Sequence, residues 1–197
     1  MSRVQPDLLA ALRAGEPWAV DALYRDHAAA VLAWCLRLGG PQIDAEDTAH
    51  EVFIVALRRL AGLRGEATLS TWLYAITRRV VANARRRAAF RRFLGLEQAP
   101  EPRSGAPLAD EEIERHRQRR QVQHALERLS APLREVIVLA ELEERAAPEV
   151  AHMLDIPVGT VYSRLHAARR AFAAALQTEG LDPEIAPDAR LIPLRRA

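Results

Sequence analysis

The chain has 197 residues, 49% of them hydrophobic, which is enough for one ordinary domain or two small ones with real cores and excludes disorder throughout. Its 28 basic residues are all Arg, and the net charge of +2 conceals a split: residues 1–94 carry 14 Arg against 9 acids, residues 95–197 carry 14 against 17. The densest stretch, 76–94, has seven Arg and no acid, which suits a nucleic-acid backbone because guanidinium binds phosphate bidentately; a simply solvated cationic helix has the same composition.

Apolar periodicity is helical almost everywhere and alternating β-branched runs are absent, so the fold class is all-α. Helices are predicted over 6–14, 17–38, 44–61, 70–93, 110–129, 132–142, 148–154 and 158–177. The start, MSRVQPDLLAALRAGEP, lacks the apolar core of a secretion signal, and no apolar run approaches the about 18 residues of a membrane span. The expectation is therefore a cytoplasmic protein with no membrane insertion. Cys35, the single cysteine, lies in the apolar run AAAVLAWCLRL, which points to a buried thiol in a reducing compartment.

In DAEDTAHEVFIVALRRL, Asp44 is a good N-cap and Asp47 falls where a carboxylate meets free backbone N–H groups. At 100° per residue, Ala49, Val52, Phe53, Ala56, Leu57 and Leu60 form an apolar stripe, while Asp44, Asp47 and Glu51 share the opposite side with Ile54, Val55 and Arg58. Carboxylates mixed with branched aliphatics suit a contact for a basic partner helix; the competing reading is a capped surface helix with two stray apolar residues. His50-Glu51 is not a zinc-protease helix, because position 54 is Ile where that motif needs His.

The next helix, STWLYAITRRVVANARRRAAF, turns Leu69, Leu73, Ile76, Thr77, Val80 and Ala84 toward the core. Its far side centres on Thr71, Ala75 and Ala82. Tyr74, Arg78 and Arg85 flank it on one edge, and Trp72, Arg79, Asn83 and Arg86 on the other. Phosphate-binding cations beside aromatic faces and an amide are the ingredients for holding an opened or single strand. The preceding loop, GLRGEATL, is short enough to present Arg64, Glu66 and Thr68 to a base, or to be a plain interhelical turn.

GLEQAPEPRSGAPLADEE combines three Pro with Gly, Ser and acids, so it reads as a flexible linker between two small helical domains. The division is an N-terminal helical domain over 1–94, a linker over 95–121, a helix-turn-helix domain over 122–177 and a flexible tail over 178–197. Within PEVAHMLDIPVGTVYSRLHAARRAF, Pro148 fits a first helical turn, Asp155-Ile156-Pro157 forces a tight turn, and a longer helix follows. Val161, Leu165, Ala168, Phe172 and Leu176 face inward. Gly159, Ser163, His166 and Arg170 point outward, with Tyr162 and Ala167 on the flanks and Arg169 nearer the scaffold. Such a face enters the major groove in helix-turn-helix proteins, and a structural helical hairpin has the same spacing.

Taken together, LYRDHAAAVL, DAEDTAHEVF, LRGEATLSTWLYAITRRVVANARRR, ALERLSAPLREVIVLAELEE and AHMLDIPVGTVYSRLHAARRAF closely resemble the extracytoplasmic-function (ECF) group of bacterial sigma factors, within the sigma-70 superfamily. The resemblance covers about residues 17–94 and 122–176. It implies that Asp44, Asp47, Glu51 and Val55 dock on the clamp helices of the largest subunit of core RNA polymerase, with the flap of the second-largest subunit as a further partner. It implies that Arg64, Glu66, Thr68, Thr71, Tyr74, Arg78, Arg79 and Asn83 capture and melt the minus-10 element of promoter DNA. For the minus-35 element it implies Tyr162, Ser163, His166 and Ala167 at bases and Arg164, Arg169 and Arg170 at phosphates. In some relatives an anti-sigma factor sequesters the pair of domains. Many relatives carry basic residues where Tyr162 and Ala167 stand, so the hexamer preferred here is not transferable. Gln often occupies the place of His50, and a Ser-Tyr-type start that of Ala146-Ala147-Pro148.

The reading is thus a promoter-specificity subunit directing transcription initiation, with no cofactor, metal or active site of its own. The alternative is a stand-alone helix-turn-helix regulator using only the C-terminal part. An enzyme is disfavoured because the chain has neither a phosphate-binding glycine loop nor a Ser/His/Asp or Cys/His arrangement.

Overall fold

A computed structural model describes residues 6–60, 68–96 and 110–179, and every regular element among them is helical. The first four helices are α1 (Pro6–Ala14), α2 (Pro17–Gly39), α3 (Ala45–Arg59) and α4 (Leu69–Phe93). After them come α5 (Asp110–Glu127), α6 (Ala131–Ile137), α7 (Ala147–Leu154) and α8 (Val158–Thr178). Each predicted helix is present. The stretch assigned to a linker, 95–121, is helical from Asp110 onward because its last 12 residues belong to α5.

Local chemistry sets the boundaries. Proline opens α2 with its missing N–H and fixed φ, and Asp44 caps α3 by accepting from the Asp47 amide at 3.0 Å. At the end of α4 Gly95 takes φ +67°, and its N–H and that of Leu96 reach back to the carbonyls of Arg92 and Arg91 at 3.0 Å each. Gly40, at φ +72°, ends α2 at a close crossing: a Cβ there would lie 1.8 Å from Glu127 Oε1. Beyond α6 the helix widens into a π-helical turn over Val138–Leu142, where the Glu143 amide reaches the Val138 carbonyl at 3.0 Å.

The α2, α3 and α4 helices pack together around Leu23, Val31, Trp34, Val52, Leu73 and Val80, with α1 against α2. Trp34 and Tyr74 meet edge to face at 5.1 Å, and Tyr24 lies on Phe53 at 4.8 Å. On the other side α8 gathers α5, α6 and α7 around Leu126, Val136, Leu139, Val150, Val161 and Leu176. Burial runs without a break between the two sets, because α5 and α6 touch α2 and α7 packs on α4. One stripe residue departs from its expected place. Leu57 is 36% exposed, since α3 has reached the rim of the α2–α4 core at its last turn.

Cys35 is fully buried in this core, and burial alone pushes its thiol up to about 12 from an ordinary 9.0. A thiol reagent at pH 8 should therefore meet about a thousandfold less thiolate than on an ordinary cysteine. Labelling followed across a urea titration should stay silent until the unfolding transition; full reaction in the absence of urea would contradict the burial.

Candidate protein- and nucleic-acid-binding surfaces

The solvent side of α3 carries Asp44, Asp47 and Ile54 as exposed residues, with Glu51 and Val55 half-buried between them. All four residues proposed for partner docking, Asp44, Asp47, Glu51 and Val55, thus lie along one helix. Two carboxylates already have work within the fold. Asp44 is the N-cap, and Glu51 accepts from Arg87 of α4 at 2.8 Å. That Arg–Glu pair is largely exposed, so separating it costs about 0–1 kcal/mol and leaves Glu51 open to exchange partners.

On α4, Thr68 is the cap: its Oγ1 accepts from the Thr71 amide at 3.1 Å and lies 3.0 Å from the Thr71 hydroxyl. Arg79 and Asn83 are exposed, and Asn83 bonds Arg86. Arg64 and Glu66 lie outside the described residues. The far side is only partly open: Ala82 is exposed, while the edge that carries Tyr74 and Arg78 is covered. Thr71 is 9% exposed and Tyr74 is fully buried, because Tyr74 stacks on Trp34 and α7 packs on the same helix. Arg78 sits in a two-pronged pair with Glu135 of α6, Nε to Oε1 at 2.8 Å and Nη2 to Oε2 at 2.7 Å.

This covering rests on charged residues that sequence reasoning missed. Arg37 of α2 is buried and bonds Glu143, just past the π-helical turn. Burial raises the Glu143 carboxyl and lowers the Arg37 guanidinium, and in each the desolvation outweighs the attraction of the partner. Arg134 of α6 donates to the Leu126, Glu127 and Leu129 carbonyls and, across to α2, to the Leu38 carbonyl, at 2.7–3.0 Å. Arg85 donates to the Gly39 carbonyl at 2.8 Å with Glu127 4.0 Å away. The only sequence signals were an Arg and a Glu standing inside the apolar runs AWCLRL and VIVLAELEE.

The last two helices form a tight pair. Asp155 takes a left-handed φ of +55° at the end of α7, the Ile156 amide returns to the Ala151 carbonyl at 3.1 Å, and Pro157 leads into α8. On α8, Tyr162 (59% exposed), Ser163, His166, Ala167 and Arg170 face solvent, and Arg164 is half-buried. Ser163 bonds back to the Thr160 carbonyl at 3.1 Å, and Arg169 pairs with Glu141 at 2.5–2.9 Å in an exposed contact. Among the described residues, no cluster of His, Cys, Asp and Glu could hold a metal, and no helix is long and apolar enough to cross a membrane.

Two family models match the chain. The family model described as Sigma-70 region 2 matches residues 23–91, and that described as Sigma-70, region 4 matches residues 119–172. The chain is 33% identical over 170 residues to the ECF RNA polymerase sigma factor SigL of Mycobacterium tuberculosis, covering 85% of this chain and 94% of that protein. It is 31% identical over 178 residues to the RNA polymerase sigma-H factor of Pseudomonas aeruginosa, covering 86% and 92%. Among solved structures it resembles CnrH in complex with the cytosolic domain of CnrY, with a TM-score of 0.62 at 23% identity over 87% of this chain and 96% of that one. That likeness is one of fold.

Replacing Thr68 by Ala removes the α4 cap and should cost about 1 kcal/mol, read as a lower urea midpoint with unchanged slope.

Proposed function

From the premise that the chain belongs to the ECF group of sigma-70 factors, we propose how its surfaces divide the work of promoter-specific initiation. A sigma factor of this group binds core RNA polymerase and directs it to particular promoters; such factors are not enzymes, and the polymerase supplies the chemistry. The observation that carries this reading is that regions 2 and 4 lie in one chain, in that order, each with its own helical unit. A stand-alone regulator would use the second unit and leave the first without work.

In this reading the unit before residue 95 binds polymerase and the minus-10 element, and the unit from 122 to 177 reads the minus-35 element. Asp44, Asp47, Glu51 and Val55 contact basic residues of a polymerase helix pair, and carboxylates on an exposed face set the approach and register of such contacts. Arg78, Arg79 and Asn83, with Thr68, Thr71 and Tyr74 and the Arg64–Glu66 loop, hold the melted strand: cations bind its phosphates, and the aromatic and amide groups take a base. On α8, Tyr162, Ser163, His166 and Ala167 face base edges while Arg164, Arg169 and Arg170 reach phosphates. Arg169 leaves its exposed carboxylate partner at little cost as phosphate arrives. The chain acts in the cytoplasm, with no cofactor.

Purified chain added to core polymerase should produce discrete run-off transcripts from genomic fragments. Reversing charge at Asp47 and Glu51 together should weaken core binding by about tenfold or more, without changing duplex binding by the C-terminal helix pair. Absence of any transcript from folded protein would remove the reading. Replacing His166 by Ala should change the preferred base at one minus-35 position, since a good base contact discriminates by about 1–3 kcal/mol; a selection experiment that returns the unaltered hexamer would show His166 to be a bystander.

A further inference from the structure

We propose that residues 190–196, RLIPLRR, dock in a groove between the end of α2, the start of α3 and α5, with Leu191, Ile192 and Leu194 on its apolar floor and Arg195 and Arg196 at the carboxylates of its rim.

The groove itself is the first observation. Leu32, Leu36, Pro41 and Ile43 line it, Gln123 of α5 forms one side, and it encloses about 400 Å³, a volume in the range of sites that hold small ligands. Leu36 is 42% exposed although its neighbours Trp34, Cys35, Arg37 and Leu38 are all buried, so this apolar surface is wet until something covers it. Gln123 Nε2 is enclosed without a hydrogen-bond partner, and a chain laid along the groove brings backbone carbonyls to it. The charged residues that line the groove are both acids, Asp44 and Glu46.

That chemistry selects the occupant. Residues 180–197 lie outside the described residues, and their sequence closes on RLIPLRRA, which has three large aliphatic side chains, three Arg and no acid. Two other stretches outside the described residues fit less well. Residues 97–109 carry Glu97 and Glu101 against Arg103 and have Leu108 as their one large aliphatic side chain, so an acid-rimmed apolar groove has little to hold. Residues 1–5, MSRVQ, have no aliphatic run. In the segment chosen, Pro193 has its φ fixed before docking, which reduces the entropy lost on ordering.

Reach is the third observation. The Glu179 carbonyl accepts from Gln121 Nε2 at 2.8 Å, and the Glu179 carboxylate lies 3.3 Å from Arg128, so the chain leaves α8 against α5. Gln123, two residues further along α5, belongs to the groove. The segment therefore has only to pass around one helix, which is about 10–12 Å across. Residue 191 can lie up to about 40 Å from Glu179 at full extension. A tether of this order holds the segment at an effective concentration of about 1 mM, so a contact with an intrinsic Kd of about 0.1 mM is mostly formed. Asp44 also belongs to the α3 face proposed for polymerase docking, so the docked segment masks one end of that face; this consequence alone rests on that reading.

The test uses the full, isotope-enriched chain with a nitroxide attached at Ala189→Cys; the buried Cys35 stays unlabelled. Amide signals of Leu36, Ile43 and Glu46 should lose about half their intensity or more, while those of Ser163 and His166 on α8 keep theirs. Arg195→Glu with Arg196→Glu should restore the lost signals, and so should Ile192→Asp. The same nitroxide at Ser104→Cys should leave them sharp. Signals that stay sharp with the label at position 189, a loss that survives both variants, or a loss produced from position 104 would each overturn the proposal. So would a loss seen only between labelled and enriched molecules in a mixture, which would make the occupant a second copy. The doubly charge-reversed chain should also bind core polymerase about threefold or more tighter, because the masked fraction is released. Unchanged core binding in a chain whose docking the nitroxide has demonstrated would count against the reading of α3 as the polymerase face, leaving the contact standing.

Discussion

The structure depends on where Arg134 puts its guanidinium. Helix ends leave carbonyls short of helical partners, and the carbonyls of Leu126, which also accepts from the Leu129 amide at 3.2 Å, Glu127 and Leu129 lie together where α5 finishes, with the Leu38 carbonyl at the end of α2 facing them. Only a planar group with several N–H donors can serve all four from one place, and a lysine could not. Burial lowers this guanidinium to about 10, helped by the nearby positive charge of Arg85, so it stays protonated at neutral pH and its donors remain available. One side chain thereby ends α5, fixes the turn into α6, and ties both to α2. Gly40 belongs to the same constraint: its φ of +72° strains any other residue, and a Cβ there would also push the Glu127 carboxylate aside.

Around this point the two helical units use different physics. Inside each, helices meet through aliphatic and aromatic side chains, where area removed from water supplies the stabilisation. Between them the named contacts are mostly charged: Arg37 with Glu143, Arg78 with Glu135, Arg85 near Glu127. Such pairs cost desolvation and return it only when the geometry is good. Their contribution is register. The π-helical turn after α6 adds one residue to the turn, and Glu143 follows directly as the partner of Arg37. A widened turn immediately before a functional side chain is a frequent use of that irregularity.

Much of this was legible in the sequence, and the reasons are local. Asp44 is a capping residue whose effect is settled within four positions, and the expected ends of α3 and α4 lie within a residue or two of those observed. The outward face of α8 was legible too, because α8 is a surface helix whose buried stripe, Val161, Ala168 and Leu176, leaves a single complementary side. Tyr74 and Arg78 were read as open for the same reason that α8 was read correctly. A helical wheel distinguishes faces of one helix but does not say which edge a second unit meets, and here α6 pairs with the edge that carries Arg78. Arg37 and Glu143 are 106 residues apart, and Arg78 and Glu135 are 57 apart. No periodicity connects positions so distant, so a lone Arg or Glu in an apolar run is all that the sequence displays of them.

The faces of α4 and α8 proposed to meet DNA differ in exposure. On α8, Tyr162, Ser163, His166 and Arg170 are exposed, and Arg169 holds Glu141 in a weak, exposed pair. On α4, Tyr74 and Arg78 are enclosed or paired. The exposed carboxylates of α3 lie on the same unit as α4, and Glu51 of α3 bonds Arg87 of α4, so a partner that binds this face acts on a helix already joined to α4. The α3 and α4 helices thus form one packed pair, and the charged contacts of Arg37, Arg78 and Arg134 run between the first helical unit and α6 with the residues that follow it.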